Sequence, residues 1–209
     1  MTKLPFNSPF ATIASPSAEL AKRIADKAPA DLNHVFFVTG GSEANDTAMQ
    51  FVYYRNNYMG RPEKKIVLAR DRAYHGTTYM AHSFSMDTDD MDSMNSLGDD
   101  LVSRLTCPDP LNRPEGMTPE QFTDHLVAEL EERIATLGAD KIAAFIAEPV
   151  MGAGGCVVPP PGYIRRMWEV LQKNDIAYIS DEVVTGYGRL GAWFASERGV
   201  DDRDTEPVT

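Results

Sequence analysis

Apolar positions along the chain fall into two patterns, helical stripes and short unbroken runs, and the two alternate. Ser15-Pro16 supplies a helix start, and Leu20, Ile24 and Ala28 mark one face of the helix it opens before Pro29 stops it. The run His34–Val38 is apolar and β-prone, which predicts a buried strand. It ends at Thr39-Gly40-Gly41-Ser42, and a helix is predicted from Glu43 to about Met59, closed by Gly60. Ile66–Ala69 predicts a second strand, followed by the turn Asp71–Gly76 and a short helix through Phe84. Asp87–Asp100 is acidic and aperiodic and reads as a surface loop within the domain.

Leu101–Thr106 predicts a further strand. Thr118-Pro119-Glu120-Gln121 has the form of a capping box, and Phe122, Leu126, Leu130, Ile134 and Leu137 line one face of the following helix. Lys141–Ala147 predicts a buried strand ending at Glu148-Pro149; a Gly/Pro loop from Gly152 to Gly162 leads to a helix over Tyr163–Lys173. Ile176–Ser180 predicts the next strand, ending at Asp181-Glu182. Repeated strand–helix alternation predicts an α/β fold, a mainly parallel sheet with helices on both faces. Ligands in such sheets sit at the carboxyl ends of the strands, and Gly41-Ser42, Glu148 and Asp181 all fall at predicted strand ends.

Composition narrows the class. With 43% hydrophobic and 24% charged residues, the 209-residue chain has the make-up of an ordinary soluble domain. A formal net charge of -11 argues against nucleic acid or an anionic membrane as the main partner. Cys107 and Cys156 stand in no metal or redox spacing and read as free thiols of a reducing compartment. Met1–Phe10 has no signal-peptide core, and no apolar run is long enough to span a bilayer, so the expectation is a cytoplasmic protein.

Each candidate group has two readings. Gly41 and Ser42, between a strand and a helix start, suit either a phosphate on free backbone N–H groups or a plain turn with Ser42 as N-cap. Asp181, ending an apolar strand, needs a cation or several donors; a pyridinium nitrogen or a structural partner would each serve. Glu182 beside it reads as structural. Tyr74 would stack on a flat heterocycle, and His75 would orient a cofactor or act as acid or base, unless it is simply a satisfied loop residue. Glu148 would orient a cofactor oxygen or bond nearby loop backbone. No metal-ligand spacing occurs in the chain.

In this order, Thr39-Gly-Gly-Ser-Glu-Ala-Asn45, Tyr74-His-Gly76, Ala147-Glu-Pro-Val-Met-Gly-Ala-Gly-Gly155 and Ser180-Asp-Glu-Val-Val-Thr-Gly-Tyr-Gly-Arg189 resemble the class III (fold type I) pyridoxal-phosphate aminotransferases. The likeness runs to about Gly199. It implies pyridoxal 5'-phosphate as cofactor, with Gly41 and Ser42 on its phosphate and Tyr74 and Val183 on the two faces of its ring. Asp181 would face the pyridine nitrogen, with Glu148 and His75 in support. Ala153 and Val184 lean toward the amine or β-alanine:pyruvate group. A small-molecule amine or amino acid and a keto acid are the implied partners, and the complete protein is implied to be a homodimer or larger.

The resemblance also sets an expectation of incompleteness. Lys3, Lys22, Lys27, Lys64, Lys65, Lys141 and Lys173 all precede Asp181, whereas the family's Schiff-base lysine follows it. The chain therefore reads as part of a cofactor-binding large domain, with the N-terminal segment, lysine-bearing segment and C-terminal small domain absent, and inactive alone. Two other readings stand beside this: a non-catalytic fragment that binds cofactor or a partner subunit, and an aminomutase or decarboxylating relative.

Overall fold

The computed structural model describes residues 12–29, 32–85 and 100–197. Its centre is a four-stranded parallel sheet of β1 (Ile66–Arg70), β2 (Val102–Leu105), β3 (Ile142–Ala147) and β4 (Ala177–Ser180), in the order β2-β1-β3-β4. Among the described residues five α-helices accompany it: α1 (Ser15–Ala25), α2 (Gly41–Tyr58), α3 (Tyr79–Phe84), α4 (Pro119–Leu137) and α5 (Tyr163–Lys173).

The strand side chains alternate between two apolar layers. Leu68, Leu105 and Phe145 pack with Phe122, Leu126, Leu130 and Ile134 of α4 and with Met167 and Leu171 of α5. Val67, Ala69, Ala144 and Ile146 pack on the opposite side with Met49 of α2 and Phe84 of α3. Helices therefore cover both faces. That is why every residue of β3, Ile-Ala-Ala-Phe-Ile-Ala, is buried and apolar rather than alternating with polar ones.

The expected capping box is present. Thr118 Oγ1 accepts from Gln121 N (3.2 Å), and Gln121 Oε1 accepts from Thr118 N (2.9 Å). Helix α5 occupies the predicted span, and β1, β2, β3 and β4 lie within a residue or two of theirs. Helix α1 ends at Ala25, earlier than its apolar face suggested, and has no buried residue. Of the predicted loop over Asp87–Asp100, all but Asp100 lies outside the described residues.

One expectation fails. His34–Val38 is not a buried strand: the segment has no ladder partner among the described residues, and Phe36 is 65% exposed. An apolar, β-prone run specifies a strand only if a neighbour offers its backbone groups, and the described sheet ends at β2 on one side and β4 on the other. Phe36 instead meets Phe51 of α2 edge-on, with ring centroids 5.7 Å apart. Phe51, Tyr54 and Tyr58 continue an exposed aromatic stripe along α2. No described helix is long and apolar enough to cross a membrane.

Candidate active site

The carboxyl ends of β1, β3 and β4 and the start of α2 converge on one cleft of 380 Å³, lined by Gly41, Ser42, Tyr74, His75, Glu148, Asp181 and Val183 together with Gly76, Ala153 and Val184. All seven residues singled out from the sequence are brought together here. Gly41-Ser42 does not follow a paired strand as expected. It reaches the cleft because α2 packs on the sheet through Met49 and places its first turn at the strand ends.

Asp181 is the electrostatic centre. Its Oδ2 accepts from Asn45 Nδ2 (2.9 Å) and lies 2.8 Å from His75 Nδ1, while Oδ1 accepts from Val183 N (3.2 Å). Burial pushes its pKa up, but the His75 hydrogen bond and charge, the Asn45 amide and the Val183 N–H pull it down and prevail, leaving it below the ordinary 3.8. An ionised carboxylate offers only lone pairs, so His75 Nδ1 carries the proton between them. His75 Nε2 is buried and has no partner. Backbone bonds fix the rest of His75: its N–H donates to Ser85 Oγ (2.9 Å), and its carbonyl accepts from Asn45 Nδ2 (2.7 Å).

Asn45 and Ser85 were not picked out as site residues from the sequence. For Asn45 a signal existed: it lies four residues before Met49 on the inward stripe of α2, where a polar side chain needs a partner. Ser85 carries no such signal, because its contact depends on how the turn after β1 folds back.

The rim of the cleft is built for close approach. A Cβ at Gly41 would lie 2.9 Å from Val183 Cγ2, so a larger residue would have to displace the Val183 side chain at the first turn of α2. Ser42 Oγ accepts from Thr77 N (3.1 Å), which leaves its hydroxyl proton for another acceptor. Helix α2 begins without a side-chain cap. Tyr74 and Val183, 43% and 72% exposed, present side chains to the cleft. Glu148 takes the loop role: its carboxylate accepts from Tyr74 N (3.1 Å) and Gly152 N (2.8 Å). Glu182 is structural, as expected, gathering Thr185 Oγ1, the Ala195 and Ser196 N–H groups and Ser196 Oγ. Both cysteines are free.

This geometry defines an α/β domain whose strand-end cleft suits an anion next to a flat ring with a cationic nitrogen. Comparison with known proteins gives the family: residues 2–204 match the aminotransferase class-III family, and the chain belongs to it. It is 41% identical to a putrescine–pyruvate aminotransferase of Pseudomonas aeruginosa over 212 residues, covering 100% of this chain and 46% of that protein. It is also 41% identical to a vanillin aminotransferase of Capsicum frutescens, covering 95% of this chain and 44% of that protein. An omega-transaminase of Pseudomonas jessenii, solved in complex with PMP, superimposes with a TM-score of 0.89 at 39% identity, over 94% of this chain and 44% of that one. An omega-transferase of Vibrio fluvialis JS17 superimposes with a TM-score of 0.86 at 37% identity, over 97% and 46%. The chain thus spans a little under half the length of the relatives it matches.

Proposed function

We propose that the strand-end cleft binds pyridoxal 5'-phosphate, and that the 209 residues are part of the cofactor-binding large domain of an aminotransferase. The observation carrying this reading is Asp181, a carboxylate held ionised at the cleft by Asn45, His75 and a backbone N–H. Gly41, whose missing Cβ leaves the space beside Val183 open, and the free hydroxyl proton of Ser42 fit a phosphate. Tyr74 and Val183 fit the two faces of a ring.

When bound, the cofactor supplies an electron sink for carbanion chemistry. Asp181 keeps the ring nitrogen protonated, and His75 and Asn45 hold Asp181 in place for that task. Ser42 and the open first turn of α2 bind the phosphate. Glu148 holds the backbone of Tyr74 and Gly152 at the cleft wall.

In its complete form the protein would transfer an amino group from an amine or ω-amino acid to pyruvate or another keto acid. The names of its relatives support this. Homodimeric or larger assembly is supported by the exposed Phe51, Tyr54 and Tyr58 stripe, and a cytoplasmic setting by the two free cysteines. The test is a coupled assay of the full reading frame with a diamine or ω-amino acid and pyruvate. Pyruvate-dependent alanine formation supports the proposal, and amine-dependent isomerisation or CO₂ release without alanine contradicts it.

The alternative, a segment that binds cofactor without turning it over, has its own test. Borohydride treatment of the cofactor-saturated chain should then leave the cleft peptides unmodified. A pyridoxyl group recovered stoichiometrically on one lysine would rule that reading out.

A further inference from the structure

Arg70 closes β1 with its side chain on the Leu68 side of the sheet, fully buried at 0% exposure. Its Nη2 donates to the Glu148 carbonyl (2.6 Å), and the guanidinium also faces the Tyr163 hydroxyl. The hydroxyls of Tyr163 and Tyr178 are buried too, Tyr163 against Arg70 and Tyr178 against Ser180. Burial pushes both phenols up to about 12, against the opposing pull of the Arg70 charge on Tyr163 and of the Ser180 hydrogen bond and the Arg70 charge on Tyr178. A guanidinium is always charged, and a well-packed apolar side chain would fill such a position at lower cost. The bond of Arg70 to the backbone goes to Glu148. That residue's carboxylate in turn holds Tyr74 N and Gly152 N, and so joins the turn after β1 to the loop bearing Ala153. Arg70 itself does not line the cleft.

We infer that Arg70 is a positioning residue for the cleft: by fixing the Glu148 carbonyl it aims the Glu148 carboxylate and thereby sets the backbone of Tyr74 and Gly152. Only the cofactor-affinity arm of the test rests on the proposed function. The experiment compares the 209-residue chain with Arg70→Met and Arg70→Lys by residue-resolved amide hydrogen exchange and by titration with pyridoxal 5'-phosphate. Arg70→Met should speed exchange at Tyr74 and Gly152 by about tenfold or more, leave the β3 amides unchanged, and weaken cofactor affinity by a similar factor. Arg70→Lys keeps one donor for the carbonyl and should restore both readouts to within about threefold of the parent.

Uniform acceleration across β3 and the two loop amides would make Arg70 merely structural and overturn the inference, as would unchanged exchange at Tyr74 and Gly152. If Arg70→Met does not fold, Arg70→Gln, neutral but with an amide donor, decides the point by the same criterion. Should the parent chain bind no cofactor, the proposed function fails, and the exchange arm still judges Arg70.

Discussion

His75 Nδ1 lies 2.8 Å from Asp181 Oδ2, with side chains only 0% and 5% exposed, so a residue of the turn after β1 donates to one beyond β4 inside the protein. Asn45 of α2 completes the arrangement from a third element. The pair therefore ties the cleft's three walls to the fold itself, and its loss should be felt in stability as well as in binding.

The pH dependence follows from the depressed Asp181 pKa. A carboxyl lowered in the folded state stabilises fully above its unfolded value and loses that contribution as pH falls through the folded one. Asp181→Asn should cost about 1–3 kcal/mol in urea unfolding at pH 7. The gap to the parent should narrow only below the ordinary 3.8. A gap as wide at pH 3 as at pH 7 would contradict this assignment.

Gly76 has φ +132°, and a Cβ there would lie 2.3 Å from Ser42 Oγ and 2.8 Å from Ser42 Cα. Backbone as well as side chain would have to move, so Gly76→Ala should destabilise by about 2–4 kcal/mol. Thermal unfolding measures this directly, and an unchanged midpoint would mean that the close packing of the turn on α2 is not real.

Glu182 gathers four donors from the segment through Ser196. Glu182→Ala should release that segment, giving limited-proteolysis cuts between residues 183 and 197 at protease levels that spare the parent. Equal resistance in the two proteins would show that other contacts hold the segment.

Thr118→Ala removes one arm of the capping box and should cost about 1 kcal/mol, read from urea midpoints at constant m. This helix also shows what was legible in advance. Its cap, its inward stripe from Phe122 to Ile134 and the all-apolar β3 are local patterns whose physical cause lies within a few residues, and each appears where the periodicity placed it. His34–Val38 was misread because ladder pairing is not local: the same residues are a strand only beside a partner. In the site, Asp181 stood out because a carboxylate ending an apolar strand demands partners. Which partners it has, Asn45 and His75, depends on packing between elements. Arg70 left no signal of its own, since an arginine at a strand end normally reaches solvent.

In the proposed function, the glycine turn of α2 and the Asp181 carboxylate together hold pyridoxal 5'-phosphate. The most direct test is calorimetric titration of the chain with pyridoxal 5'-phosphate and with pyridoxal, repeated on Asp181→Asn. Saturable binding of the phosphorylated form is expected, at least about tenfold tighter than pyridoxal and at least about tenfold weakened by Asp181→Asn. Absence of saturable binding, or equal affinity for the two ligands unaffected by Asp181→Asn, would contradict it.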